Sequence, residues 1–397
     1  MEELIREQII EQEQNDFIQV YNRLPVVIER AEGVKVWDKN GRVYLDFLAG
    51  IAVDVLGHSH PKIIEAIEKQ AKRYLHTSNY LYQDIQIEFV KKLKEMSGFD
   101  KVFLSNSGTE SIEGAIKLVR KWGVQHNKDE IVSFTGGFHG RTYGALSMMD
   151  KPLYKNNFGP FLNGFKILPY NSISDLKSNI NERTSGVFLE FIQGEGGVVP
   201  AKQDFIDSLF ELKNKYNFLI VADEIQAGMG RTGKFFAYEN YNVKPDIATV
   251  SKGLGGGLPL GAILVRDYLK DVFQKSEHGT TFGGNPLACA TGLASLIEIE
   301  NYLMNNAKIQ GEYFINKLND IANNFPKLIN NVQGKGLMIG LKLTFPAKDL
   351  VNKLLDYGII SNATNQNVLR LVPPLIVNKQ DIDEFCIALT KSLTTFK

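Results

Sequence analysis

The sequence predicts an α/β fold: a mainly parallel sheet covered by helices on both faces, followed by a smaller α+β C-terminal part. Three observations carry this expectation. From about residue 100, short β-branched or aromatic runs alternate with helical segments, the pattern of a parallel sheet. After about residue 290 the alternation gives way to a long helix, then strand, helix, strand and helix. The length of 397 residues suits one large α/β domain with a smaller partner.

Taken in order, residues 1–16 read as a short amphipathic helix or a loose arm. Residues 34–47 read as a β-hairpin, with Asn40-Gly41 as its turn. Pro61 opens a helix in which Ile63, Ile64, Ile67, Ala71 and Tyr74 recur at helical spacing. The runs 102–105, 131–134, 187–191, 218–223 and 247–251 read as strands, with helices at 109–122 and 205–216 between them. The tail holds a long helix from Ala288, the strand GLMIGLKL, a helix near 346–356, the strand VLRLV and a closing helix from Lys379. No internal repeat or low-complexity linker divides the chain.

Acidic and basic residues balance at 45 each, so no strong field points to nucleic acid or a membrane surface. Cys289 and Cys386 form no CxxC pair, which argues against a disulfide framework and for a reducing compartment. The start, MEELIREQIIEQEQNDF, lacks a basic segment with an apolar core and lacks Arg/Ser bias. No apolar run reaches the length of a membrane span. The expectation is a cytoplasmic protein with neither nucleic-acid nor membrane partners. The six histidines show no HExxH or paired spacing, so no metal site is expected.

Four stretches carry candidate chemistry. In SNSGTES a strand ends and a helix begins, so the free N–H groups at Ser107, Gly108 and Thr109 offer a phosphate site; a plain N-cap is the competing reading. In IVADEIQ, Asp223 sits at the carboxyl end of a strand, where ligands of open α/β sheets bind. A carboxylate there can hold a proton on a heterocycle nitrogen, or it can be a helix cap. In SKGLGGGLPLGA, Lys252 follows a strand and precedes glycines. A lysine becomes a nucleophile when burial or nearby charge lowers its pKa, although most lysines are solvated surface charges. The fourth feature sets FHGRT, with Phe138 and Arg141, against HGTTFGGNP, with Thr280 and Thr281. It offers a stacking aromatic, a carboxylate-binding fork and hydroxyls.

Phosphate cup, stacking aromatic, ring-nitrogen carboxylate and imine lysine together describe a pyridoxal phosphate site. With QGEGG, ADEIQAGMGRTGKFFAYE and VLRLVPPL added, the chain from about Tyr21 to its last helix resembles the class III aminotransferases of the fold-type-I pyridoxal phosphate superfamily. The resemblance implies a seven-stranded, mainly parallel sheet in a large domain at 49–290. An N-terminal arm and hairpin (1–48) would pack with a small domain at 291–397. The implied activity is transfer of the terminal amine of N-acetylornithine to 2-oxoglutarate, as in arginine biosynthesis. N-succinylornithine, N-acetyllysine, ornithine and 4-aminobutyrate are the alternative donors. Pyridoxal 5′-phosphate is the implied cofactor. The implied unit is a homodimer with its active sites at the subunit interface.

By the same resemblance, Lys252 carries the cofactor as an imine, Asp223 holds the pyridinium proton and Phe138 stacks on the ring. Gln226 lies near the phenolic oxygen, and Ser107, Gly108 and Thr109 hold the phosphate. Thr281 reaches the phosphate of the neighbouring subunit. Thr280, Arg141 and Tyr21 contact substrate, Arg141 through the carboxylate of the acylated amino acid. Arg370 takes the α-carboxylate, and Glu195 pairs with Arg370 and moves aside for dicarboxylates.

The chain departs from the family pattern in places. Phe191 stands in the usual Glu-Pro pair before QGEGG, Ala227 replaces a threonine, and Asp54 replaces an asparagine near the substrate mouth. Ile51 stands where ornithine aminotransferases tend to carry tyrosine, which argues against free ornithine. Among other classes, a P-loop is suggested by the glycines from Gly228 to Lys234. However, Phe235 replaces the Mg²⁺-binding Ser/Thr, and no strand ends directly before Gly228. A non-catalytic relative usually loses the imine lysine or gains a DNA-binding segment, whereas Lys252 is present and the N-terminal arm is short and acidic. A racemase or decarboxylase would not need the Glu195–Arg370 pair.

Overall fold

The computed structural model describes residues 5–396; residues 1–4 of the predicted arm, and residue 397, lie outside them. Its centre is a seven-stranded sheet in the order Lys101–Ser105, Gly261–Val265, Ile247–Val250, Leu219–Asp223, Thr184–Leu189, Glu130–Phe134, Phe165–Leu168. The last five are mutually parallel. Gly261–Val265 runs antiparallel to both its neighbours. The five central strands are fully buried runs such as LIVAD and IATV, as a sheet covered on both faces requires, while the two edge strands are only partly buried.

That covering sets the direction of the site. The parallel strands end together, so Asp223 pairs in register with Thr249, three residues before Lys252. At the same edge Gly261 lies opposite Ser105, just before the helix Gly108–Gln125. That helix presses Ile112, Ala115, Ile116, Val119 and Trp122 into the core.

The Asn40-Gly41 turn forms as expected. Gly41 has φ +78° and donates its N–H to the Asp38 carbonyl at 2.9 Å. Its strands, Lys35–Asp38 and Val43–Asp46, join Ile28–Glu32, and Ile359–Ile360 adds in parallel to Val43–Asp46. A four-stranded antiparallel sheet holds Ile329–Lys335, Met338–Leu343, Val368–Leu371 and Asn362–Thr364 in that order. The helices Pro286–Glu298 and Met304–Asn324 are joined by a π-helical turn, Ile299–Leu303. Phe47 packs on Phe314 and Phe385, with ring centroids 5.6 and 4.5 Å away, so the N-terminal hairpin shares a core with the last helices.

Several expectations need correction. The helix Arg6–Asp16 buries no residue, so its pattern is not that of a packed amphipathic helix. The fourth predicted strand stops at Leu189, because Ile192–Gln193 instead pairs with Val199–Pro200. Phe191 therefore leaves the sheet and packs between the Tyr238 and Tyr241 rings.

Candidate active site

Lys252 follows the strand Ile247–Val250 and begins a short 3₁₀ turn, with φ +49°. A non-glycine residue in this region is strained, and such strain gathers at functional sites. The turn is tight because Gly253 lies against Val55; a Cβ on Gly253 would sit 2.7 Å from the Val55 methyl. Lys252 is half-buried. Burial first, then the Arg370 charge, pushes its amine down to about 8, against the opposing pull of Glu195, Asp223 and Glu190. At neutral pH a larger share of this amine is therefore the nucleophilic neutral form than for a surface lysine.

Asp223 ends its strand fully buried. Its Oδ1 accepts from the Ile225 N–H at 3.2 Å, and its Oδ2 lies 2.7 Å from His139 Nδ1. His139 is equally buried. Burial alone would lower its pKa, but the Asp223 bond and the charges of Asp223 and Glu190 raise it above the ordinary histidine value. Sequence reasoning gave His139 no chemistry. Its only signal was its place beside Phe138 at a strand end.

Ser107 caps the helix Gly108–Gln125, its Oγ accepting from Glu110 N at 3.2 Å. The capping and phosphate readings are therefore compatible. Ser107 serves Glu110, while the first-turn N–H groups of Gly108 and Thr109 have no acceptor upstream in the helix. Gly108 lets the helix end approach Ile225 closely; a Cβ there would come 2.9 Å from the Ile225 side chain, which would have to shift. A bare, electropositive helix end lies at the same sheet edge as a buried carboxylate and a low-pKa lysine. That donor set fits a phosphorylated pyridine aldehyde.

The third cluster crosses from the large sheet to the C-terminal sheet. Arg370 is fully buried on Val368–Leu371. Its Nη1 pairs with Glu195 Oε1 and donates to Gln226 Oε1 at 3.1 Å, while its Nε donates to Asn362 Oδ1 at 3.2 Å. Burial works to raise the Glu195 carboxyl, but Arg370 outweighs it and holds the carboxyl below its usual value. Thr364 Oγ donates to the Glu195 carbonyl at 2.8 Å and to Oε2 at 3.3 Å. Gln226, expected beside a cofactor oxygen, is bonded here to Arg370.

Phe138 is partly buried, with Arg141 Cζ 5.6 Å over its ring. Arg141 is exposed and stacks at 3.9 Å on Tyr154. Thr280 Oγ accepts from Asn106 Nδ2 at 3.1 Å, which ties its loop to the strand end before the phosphate-type helix. Asp54 is partly buried, and burial raises its carboxyl. Its Oδ1 lies 3.4 Å from where a Cβ on Gly257 would be, so it does face the glycine loop after Lys252. Thr281 and Tyr21 are exposed, and among the described residues neither is bonded to the Lys252 cluster.

The family model for aminotransferase class-III matches residues 18–393. The chain is a class-III aminotransferase. It is 44% identical to an acetylornithine aminotransferase of Methanocaldococcus jannaschii, over 99% of each chain. Among solved structures it is similar to an ornithine aminotransferase from Toxoplasma gondii. There the TM-score is 0.95 and the identity 33%, over 99% of this chain and 96% of that one. It is also similar to an acetylornithine aminotransferase from Elizabethkingia anophelis, with TM-score 0.87 and 34% identity over 98% and 99% of the two chains. The enzyme is thus a fold-type-I transaminase that uses pyridoxal 5′-phosphate, an amino donor and a keto acid. Among the described residues no helix is long and apolar enough to cross a membrane.

Proposed function

We propose that the enzyme moves the terminal amine of N-acetylornithine to 2-oxoglutarate, giving N-acetylglutamate semialdehyde and glutamate, a step of arginine biosynthesis. The observation that carries this reading is the closed Arg370–Glu195 pair. A donor that presents only an amine at its reacting end has no carboxylate for Arg370. A buried, unmatched guanidinium would repel it, so Glu195 neutralises that charge. With 2-oxoglutarate, the acceptor's own carboxylate takes Glu195's place in a bidentate pair. Arg141, exposed over Tyr154, is the cation placed for the donor's far carboxylate.

Pyridoxal 5′-phosphate supplies, when bound, an electron sink and a carbonyl that stores the amine between the two halves. Lys252 would hold it covalently, and the Lys252 amine is the base that would take and return the proton at the amine-bearing carbon. Asp223, oriented by His139, would keep the ring nitrogen protonated, and Phe138 would stack on the ring. The N–H groups of Gly108 and Thr109, with the Ser107 hydroxyl, would hold the phosphate. Gln226 steadies Arg370, and Thr280 and Tyr21 border the substrate.

The proposed unit is a homodimer with Thr281 reaching the neighbouring subunit's phosphate. Supporting this, Leu75, Tyr80, Leu81, Tyr82 and Phe282 are exposed apolar side chains on the Thr281 segment and the segment that Asn79 ties to it through the Gly283 carbonyl at 3.0 Å. The proposed division is an arm and hairpin at 1–48, a cofactor domain at 49–290 and a small domain at 291–397. Initial-rate kinetics test the reaction. Parallel double-reciprocal lines for N-acetylornithine at several 2-oxoglutarate concentrations are expected, and converging lines would contradict the two-half scheme.

A further inference from the structure

Glu190 is a buried carboxylate with no salt-bridge partner within ion-pair distance among the described residues. Burial raises its carboxyl to about 7, with the His139 charge opposing. A carboxylate is kept in such a place only if its oxygens are bonded. Its Oε1 accepts from the Phe138 N–H at 2.8 Å, and its Oε2 accepts from the Gly194 N–H at 2.9 Å. These amides belong to different working parts. Phe138 is the ring-face aromatic, and Gly194 directly precedes Glu195.

The environment of Gly194 shows what that bond fixes. A side chain there would collide with the Gln226 amide, which passes over it and accepts from Arg370. Gly194 therefore lies clamped, its N–H on Glu190 and its Cα under Gln226. A second seam supports the first. Gln193 Nε2 donates to the Thr135 carbonyl at 2.9 Å, and a Cβ on Gly136 would sit 3.0 Å from Gln193 Oε1. The loop that bears Glu195 is thus sewn to the loop that bears Phe138.

We infer that Glu190 is a positioning residue for the Arg370–Glu195 switch, fixing Gly194 as the pivot about which Glu195 turns and keying that pivot to Phe138. This rests on the switching role proposed for Glu195. Glu195 must leave Arg370 for one substrate and return for the other. A side chain can do so repeatedly in one geometry only when its backbone stays put. If the pivot slackens, the closed pair suffers most, because it needs both partners in place. The open arrangement needs only Arg370 and the incoming carboxylate.

The test uses Glu190→Gln, which keeps the volume but turns an amide NH₂ toward one of two N–H donors. Each half-reaction is measured alone by stopped-flow absorbance, and hydrogen exchange is followed for the 190–197 segment in the cofactor-free protein. The expected result is a fall of about tenfold or more in kcat/KM for N-acetylornithine and of about threefold or less for 2-oxoglutarate. Faster exchange at Gly194 should accompany it. Equal losses in both halves, or unchanged exchange at Gly194, would overturn the inference, since a merely structural role predicts no asymmetry. Glu195→Gln run in parallel separates the two readings. If it leaves the ratio of the halves at the wild-type value, the switch itself is wrong. If it shifts the ratio and Glu190→Gln does not, only the role of Glu190 is wrong. Should Glu190→Gln fail to fold, Glu190→Asp, too short to reach both amides, is read by the same criteria.

Discussion

His139 Nδ1 lies 2.7 Å from Asp223 Oδ2, with both side chains buried at the carboxyl edge of the sheet. The bond orients the carboxylate, and the Ile225 N–H holds its other oxygen. His139→Phe removes the orienting bond and leaves the carboxylate under-bonded. Turnover should fall by about 10–100-fold while the cofactor still binds, a loss of the size seen when a partner orienting a metal ligand is removed. A kcat within twofold of wild type would show that the orientation does not matter.

The same pair has a stability signature. The fold raises the His139 pKa, so the protonated ring is favoured in the folded state. That contribution is fully present below the unfolded value of about 6.5 and is lost as pH rises through the higher native value. In urea unfolding of the cofactor-free protein, the gap between wild type and His139→Phe should narrow from pH 6 toward pH 9. A gap that widens would contradict the assignment.

Lys252 yields a kinetic prediction. Its amine is pushed down to about 8, so capture of pyridoxal 5′-phosphate by the cofactor-free enzyme should speed up with pH and level off above about 8. Lys252→Ala should bind the cofactor non-covalently and more weakly. Its turnover should fall by at least about 10³-fold, within the range seen for losing a general acid–base group. A capture rate still climbing at pH 10 would mean that burial and the Arg370 charge do not lower the amine as described.

Glu195→Gln leaves Arg370 without a counter-charge. The enzyme should then favour the dicarboxylate half, with the kcat/KM ratio of 2-oxoglutarate to N-acetylornithine rising about tenfold, roughly 1.4 kcal/mol. Single-turnover rates for each half check this. An unchanged ratio would remove the basis for dual recognition.

Strain in the turn at residues 49–52 gives a fifth test. Ala49, Gly50, Ile51 and Ala52 all have positive φ, a left-handed turn held at its start by Asp46 Oδ1, which accepts from Leu48 N and Ala49 N at 2.8 Å each. Ile51, with φ +65° and a branched side chain, suits this region poorly. Ile51→Asn should stabilise the protein by about 1 kcal/mol, since asparagine tolerates the conformation. Chemical denaturation reads this directly, and destabilisation would show that the Ile51 side chain contributes more than its backbone strain costs.

Much of this was legible from sequence because the chemistry sits where strands end. Asp223 and Lys252 each follow a β-branched run, and SNSGTES marks a strand-to-helix passage. Those signals are local. Gly261–Val265 was not legible as a strand, because it emerges from the glycine loop after Lys252 without its own turn signal, and its antiparallel direction depends on partners far along the chain. Phe165–Leu168 was too short to stand out. Glu190 and His139 were missed for a related reason. Each acts through a contact distant in sequence, Glu190 to Phe138 and His139 to Asp223. Burial, which makes those contacts matter, is not written in any short window.

The central claim is the choice of amino donor. It is tested most directly by a panel of N-acetylornithine, N-succinylornithine, ornithine, 4-aminobutyrate and N-acetyllysine, each with 2-oxoglutarate, following glutamate formation. The account predicts that N-acetylornithine leads in kcat/KM by about tenfold or more, roughly 1.4 kcal/mol of transition-state preference. If ornithine or 4-aminobutyrate leads instead, the transaminase fold and its Lys252 chemistry stand. The proposed donor, and the role given to Arg141, are then wrong.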